Sequence, residues 1–531
     1  MRRWNGWGDG AIKMDLPPNG LALLQELIGN GRPLPDYPLG HYLERISQPR
    51  LPRHPLISVD PKLRLDHSHG QSLPDWIGMR GGLFQRFVDG VAQPTTAEEV
   101  QELLHFAADN EVVVIPFGGG TSVVGHLDVP ETGRPVLSLS LARLNRLLHY
   151  DPDGRMATFQ AGICGPDIEN QLNPKGFTLG HYPQSFEYST LGGWVVTRSS
   201  GQQSNFYGSI EQLFAGGEIL TPVGSLQLPP VPASAAGPDL RQLVLGSEGR
   251  MGVLTKVIAR ISKIPEIDEV YGIFFPSWDH AIHGVQDLSG SELPFSMVRL
   301  SNPKETMIHL ALAGHKRQIK YLSRYLRLRG ARENEACMCL VGFTGPRRLA
   351  NFARHESFKI LRRHKGVSVG KSVGRAWGKN RFRYAYLRNT LWDLGYAVDT
   401  LETAVTWEKV TSTLNTIEKV LQDISDRNGE HIHVFSHLSH VYKTGSSIYI
   451  TFVFRLAKTP QETLCIWKAF KHAASQAVVD AGGTISHQHG VGLDHINYLE
   501  AEKGVVGIRT LKKLFDGLDP DQRMNPGKLV P

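Results

Sequence analysis

With 531 residues, 41% of them apolar and 21% charged, the chain is a soluble globular protein too long for one ordinary hydrophobic core, so two or more domains are expected. Lys and Arg outnumber Asp and Glu by 58 to 51, a net charge of +7 that suits anionic ligands or an anionic membrane surface and does not imply nucleic acid. Cys164, Cys337, Cys339 and Cys465 are too few and too scattered for a disulfide framework, and no apolar run reaches the roughly 18 residues of a membrane span.

The opening MRRWNGWGDG has no apolar stretch behind its arginines, which excludes an ordinary secretory signal and points to a cytoplasmic protein with buried thiols. Residues 1–88, rich in Pro, Gly and basic residues, read as an N-terminal arm that wraps a body, with one amphipathic helix around Leu21 to Leu27. From Pro94 the pattern tightens. TTAEEVQELLHFAADN predicts a helix capped at Thr95 or Thr96, VVVIP a strand, VLSLS a second strand, Leu141 to Leu148 a helix and ATFQAGI a further strand. Such alternation over residues 89–270 indicates an α+β nucleotide-binding layer.

The strand before Pro116 opens into Gly118, Gly119 and Gly120, followed by Thr121 and Ser122. Adjacent glycines let backbone amides approach an anion, and the two hydroxyls add donors, as a pyrophosphate cradle needs; a tight connection without a ligand has the same signature. Further on, the Gly, Ser and Thr-dense stretch from Gly180 to Leu213 reads as functional loops, Pro222 to Pro238 as a surface excursion, and GSEGRMGVL as a second glycine turn leading into a strand. Residues 271–474 alternate basic helices with apolar strands such as CLVGF and SIYITFVF, as a separate sheet with covering helices would. Residues 475–531 carry the loop SHQHGVG and a helix at Val506 to Phe515.

Four segments in order carry a resemblance. They are Pro116, Phe117, Gly118, Gly119, Gly120, Thr121 and Ser122; then Gln184, Ser185, Phe186, Glu187, Tyr188, Ser189 and Thr190; then Thr197, Arg198, Ser199 and Ser200; and Glu248, Gly249, Arg250, Met251, Gly252, Val253 and Leu254. Together they resemble the FAD-binding segments of vanillyl-alcohol-oxidase type flavoproteins. Within that superfamily the chain resembles the alkyldihydroxyacetonephosphate synthases almost end to end, through WNGWG, STLGGWVVTRSSG, YLRN with DTLETAVTW, GSSIYITF and GGTISHQHGVG. The resemblance implies an α+β fold with a two-subdomain FAD domain at 89–270, a cap domain at 271–474 whose antiparallel sheet is covered by helices, and a C-terminal segment at 475–531 completing the flavin site. It implies noncovalent FAD, although His126 after the cradle leaves covalent attachment open, and a homodimer acting on a lipid-like or other small-molecule substrate.

In that family an acyl-dihydroxyacetone phosphate exchanges its fatty acid for a fatty alcohol without net redox. By resemblance Tyr449 is the acid/base residue, Arg388 forks onto a carboxylate or phosphate and Arg299 supports flavin or substrate, the bland reading of both arginines being a solvated face, while Arg198 either supplies charge near the flavin or forms a surface salt bridge. His487, Gln488 and His489 stand where the family has three histidines in a row. Glutamine cannot carry a proton near neutral pH, so the middle position has lost any titrating role.

The alternative is a FAD-dependent dehydrogenase or oxidase of a 2-hydroxy acid or alcohol, a branch resembled by NPGK at Asn525 to Lys528. Its metal ligands would fall at His437, Tyr449 and Gln488, a poor donor set, so no metal is expected. In HIHVFSHLSH, His431 and His433 share a strand face without a carboxylate or Cys, while His437 and His440 are placed beside Tyr449 in the substrate pocket. The basic helices Lys316 to Arg329 and Arg347 to Lys365 are either a peripheral contact with anionic lipid or a solvated charged face. A flavin-binding protein without catalysis is a third reading, against which Tyr449, Arg388, His487 and His489 argue.

Overall fold

Local chemistry sets the first long helix of the body. Thr96 Oγ accepts from the Glu99 amide at 3.2 Å, and Val100, Leu103, Leu104 and Ala107 then recur at helical spacing and are all buried, which fixes Ala97–Asp109. The structure is a computed structural model that describes residues 2–313, 316–330, 332 and 334–530, without the side chains of residues 316–318.

Strands β1 (Ile57–Ser58), β2 (Gly90–Ala92), β3 (Val113–Phe117) and β4 (Val136–Ser140) form a sheet in the order β1-β2-β4-β3, parallel except for β1. Next come β5 (Leu147–Asp151), β6 (Met156–Gln160), β7 (Phe177–Thr178), β8 (Phe214–Thr221), β9 (Gly224–Leu228), β10 (Val253–Arg260) and β11 (Ser262–Lys263). Five of them make an antiparallel sheet, β5-β6-β10-β8-β9, and β7 pairs with β11. One core serves both layers, joining Val114 and Leu137 to Phe159 and Val257, and it includes Met524 and Val530 from the end of the chain.

A seven-stranded antiparallel sheet follows, from β12 (Ile267–Phe275), β13 (Met297–Ser301), β14 (Cys337–Gly345), β15 (Val367–Gly370), β16 (Tyr396–Thr406), β17 (Ile432–Leu438) and β18 (Gly445–Arg455), in the order β15-β12-β14-β13-β17-β18-β16. Helices Trp278–Gly290, Arg347–Arg363, Val410–Arg427 and Pro460–Asp480 bury their apolar stripes against it. Among the described residues no helix is long and apolar enough to cross a membrane.

The N-terminal arm is more helical than its Pro-rich composition indicates, with helices at Pro18–Ile28, Leu39–Arg45, Pro61–Asp66 and Leu73–Gly81. Three of these carry a proline within the first helical turn, where its missing N–H is no loss. Trp7 locks the arm to the cap: its N–H donates to Asn389 Oδ1 and its carbonyl accepts from Asn389 Nδ2, both at 3.0 Å. No helix forms over residues 141–148. Leu144 N–H reaches Leu141 O at 2.8 Å in a single turn, and Leu147 and Leu148 then enter β5, so the helix-like leucine spacing is that of a turn followed by a strand. The excursion at 222–238 begins with the β8–β9 hairpin before its exposed loop. The C-terminal helix starts earlier than its apolar spacing indicates, at Leu499, and breaks at Gly504, where φ is 69°.

Arm, FAD-side layer and C-terminal segment meet at three buried carboxyls, Asp75, Asp128 and Asp494. Burial pushes all three up, Asp494 to about 7, against the attraction of Lys471 at 3.8 Å. A carboxyl raised in the folded state stabilises it fully below its unfolded value, about pH 4, and that contribution is lost as pH rises through the folded one. Asp494→Asn is therefore expected to gain on the parent between pH 5 and 8, by about 2 kcal/mol at the upper end. Thermal unfolding across that range checks it, and a constant difference between the two proteins would refute it.

Candidate active site

The turn after β3 is tightly boxed. A Cβ at Gly118 would stand 2.5 Å from Thr190 Oγ1, and one at Gly119 would stand 1.9 Å from Tyr188 O, so packing alone demands glycine at both. Among the described residues, none of the five amides from Gly118 to Ser122 is hydrogen-bonded within the chain, and all five residues line a cavity of about 550 Å³. Unpaired amides around a cavity are what an anion such as the FAD pyrophosphate requires. Arg2 brings a cation to the same turn, its Nη2 3.4 Å from Gly120 O and its guanidinium 5.5 Å from the Tyr188 ring centroid.

Pro116 and Phe117 join this wall, and Gln184, Ser185, Ser189, Thr190, Thr197, Ser199 and Ser200 also line the cavity. Thr190 Oγ1 caps Leu191–Thr197 by accepting from Gly193 N at 3.3 Å, which sets the hydroxyls that follow. Ser200 Oγ is buried without a partner among the described residues, a donor left for a ligand. Glu248, Gly249, Gly252 and Leu254 close a third side. The Glu248 carboxylate accepts from the amides of Val491 and Gly492 at 2.6 and 3.0 Å, and Asn525 Nδ2 donates to Glu248 O at 2.8 Å. His126 is held between Ser122 Oγ at 2.8 Å and Glu248 Oε1 at 3.1 Å.

Other residues of the four motifs stand off the cavity. Phe186, Met251 and Val253 are buried in the core. Tyr188 packs edge-on against Trp7 and bonds Tyr386, while Glu187 lies half-buried beside Arg383. Arg250 donates to Met524 O at 2.7 Å. Arg198 takes a left-handed helix-capping conformation and turns out to Glu211 at 2.6 Å, so its charge is spent at the surface.

The seven-stranded sheet supplies another wall of the cavity. Tyr449 stacks on His437 with centroids 4.9 Å apart and meets His489 edge-on at 5.6 Å. Burial pushes its phenol upward, so it is protonated near neutral pH. Across the strand pair from Tyr449, Glu402 accepts from the amides of Gln488 and His489 at 2.5 and 2.6 Å. Gln488 and His489 line the cavity, whereas His487 turns away to Tyr442 Oη at 2.6 Å. Burial lowers His489, keeping it neutral.

Arg388 lies flat over Trp76 at 4.4 Å and donates one Nη to Gln71 O at 2.5 Å. Its Nε and other Nη are buried without a partner among the described residues, and burial lowers it to about 10, still fully charged. Such a guanidinium is poised for an anion. Arg299 is already committed, bonding Glu305 at 2.8 Å. Burial alone would raise Glu305, but His437 and Arg299 outweigh it and hold the carboxyl well below the usual range. His437, which burial lowers to about 4, is neutral 2.9 Å from Glu305.

Past these groups the cavity becomes apolar, lined by Leu16, Leu23, Leu24 and Leu27 of the arm and by Ile308 and Leu312 of helix Pro303–Ala313. Among the described residues no three His, Cys, Asp or Glu gather to hold a metal ion. The arm's contribution, including Arg2 and Trp7, and the part played by Glu402 and Glu305 were not foreseen from sequence. The one available signal was the apolar stripe at Leu21 to Leu27.

Two family models match the chain: the FAD binding domain over residues 88–228 and the FAD linked oxidases, C-terminal domain, over residues 264–529. An alkyldihydroxyacetonephosphate synthase of Dictyostelium discoideum is 32% identical over 479 residues, covering 89% of this chain and 78% of that one. More distantly, an uncharacterized FAD-linked oxidoreductase of Escherichia coli is 25% identical, covering 82% of this chain and 87% of that one. A solved alkyldihydroxyacetonephosphate synthase structure superposes with a TM-score of 0.84 at 26% identity, covering 99% of both chains. The chain is thus an FAD-binding enzyme and belongs to the alkyldihydroxyacetonephosphate synthase family.

Proposed function

We propose that this enzyme exchanges the acyl group of an acyl-dihydroxyacetone phosphate for a long-chain alcohol, forming the ether bond of an alkyl-dihydroxyacetone phosphate. The observation that carries the reading is a single cavity that joins the glycine turn, a buried guanidinium with two unbonded nitrogens among the described residues and an apolar end walled by leucines. Neither a small hydroxy acid nor a simple alcohol calls for that apolar end.

The amides of Gly118 to Ser122, with Ser199, Ser200 and Glu248 around them, would hold FAD. When bound, the flavin supplies a group able to hold a substrate carbon while one oxygen substituent replaces another. Arg388 binds the phosphate or the departing carboxylate through its two free N–H edges. Tyr449, protonated and fixed between His437 and His489, moves the proton at the reacting carbon. The leucines of Pro18–Ile28 exclude water from the chains.

We further infer a homodimer in the cytoplasm that meets anionic membrane through helix Lys316–Leu328. There Tyr321 and Leu328, 74% and 80% exposed, follow one stripe beside Lys320, Arg324 and Arg327. This helix directly follows Pro303–Ala313, which walls the apolar end.

Product analysis by mass spectrometry, with acyl-dihydroxyacetone phosphate and a long-chain alcohol under anaerobic conditions, should yield alkyl-dihydroxyacetone phosphate and free fatty acid. No such product, with flavin bleaching by a hydroxy acid or alcohol instead, would favour the dehydrogenase reading. Tyr449→Phe should lower turnover about 100-fold or more with flavin retained, and parental turnover would remove Tyr449 from the proton transfer. Arg388→Lys keeps the charge but loses the planar fork, so kcat/KM should fall about 10-fold or more; an unchanged value would exclude a forked contact.

A further inference from the structure

We infer that His440 carries out the proton transfer that Gln488 cannot, accepting the proton of the attacking alcohol. This rests on the exchange reading above. The family's three successive histidines leave Gln488 in the middle here, yet the site has not lost an imidazole. Gln488 stands beside His440, which follows β17, and both residues line the cavity.

The ring of His440 is held from several directions. Its Nδ1 meets Ser204 Oγ at 3.0 Å, and its face stacks on His487 with centroids 5.0 Å apart. Its backbone is fixed as well, the amide donating to Ser447 Oγ at 3.0 Å and the carbonyl accepting from Ser446 Oγ at 3.2 Å. A base held in one orientation at a cavity wall has the geometry that proton transfer needs.

The other histidines of that wall are otherwise engaged. His437 and His309 face Glu305 at 2.9 and 3.7 Å, His126 faces Glu248 at 3.1 Å and His489 faces Glu402 at 3.6 Å. His433 lies against Phe435. Only His440 among the described wall histidines combines freedom from a carboxylate with contact to the substituted position.

The step balances without an outside oxidant or reductant. As the alcohol oxygen bonds to the substrate carbon, its proton passes to Nε2 of His440. The fatty acid leaves as carboxylate with the electron pair of the broken C–O bond, and His440 returns the proton to solvent. Burial, with His487, His437 and His181 facing it, keeps His440 neutral in the free protein, and an anionic substrate alongside would raise its affinity for a proton.

In the FAD-loaded protein, His440→Gln should lower alkyl product formation about 100-fold or more with unchanged flavin absorbance. The reciprocal double variant, His440→Gln with Gln488→His, should recover much of the loss. A single variant within roughly threefold of the parent, or a double variant no faster than the single, would overturn the inference. Calorimetric binding of dihydroxyacetone phosphate in two buffers of different ionisation enthalpy gives a readout independent of turnover. The parent should take up more protons than His440→Gln, and equal uptake would also overturn the assignment. A parent that binds this probe but forms no alkyl product would sink the exchange reading and leave proton uptake to judge His440, while a parent that binds none would sink both.

Discussion

Two buried carboxylates hold the halves of this molecule to a common site. Glu248, from the FAD-side layer, accepts the amides of Val491 and Gly492, and Glu402, from the cap sheet, accepts those of Gln488 and His489. A buried carboxylate with too few donors is costly, and a loop with unpaired buried amides is costly too; each offsets the other here. Charge-assisted bonds from both sides leave the loop little freedom. The position of His489 beside Tyr449, and of Gln488 beside His440, depends on that pinning.

Around the pinned loop the cationic groups divide by partner. Arg299 is neutralised by Glu305, which also engages His437 and so orients the ring that stacks on Tyr449. Arg388 has an aromatic face beneath it, and Asp399 and Asp75 act on it without an ion-pair contact among the described residues. The first arrangement builds a rigid wall, and the second leaves a desolvated charge with nitrogens open to a bound anion. Similar residues thus stand in opposite electrostatic settings.

The motifs were legible from sequence, but not which of their residues face the cavity. GGGTS and TRSS follow from glycine freedom and clustered hydroxyls, and the alternation of helix and strand gave the layers. Inside EGRMGVL, however, Gly252 and Leu254 reach the cavity, Leu254 while also packing in the core, whereas Met251 and Val253 lie in the core alone, because successive residues of an extended chain point to opposite sides. Arg198 fails for a related reason: at a left-handed helix cap its side chain leaves in a different direction from its neighbours. The contacts of Trp7 with Asn389, of Glu402 with the 488–489 amides and of Glu305 with His437 carried no local signal, since those partners lie far away in sequence. The helix expected over Leu141 to Leu148 was misread because leucines at that spacing fit a turn and strand equally well.

Trp7 and Asn525 both line the cavity, and the backbone of Val114, next to the glycine turn, exchanges hydrogen bonds with Arg523 and Asn525. Contacts that span more than 400 residues carry a large loop-closure cost and form late. During synthesis, then, the FAD-side layer would emerge and pack long before the strand edge beside β3 received its final partner. Cofactor affinity should accordingly develop as a late, all-or-none event of folding, and the binding of FAD would act as the clasp that keeps the two ends of the chain together.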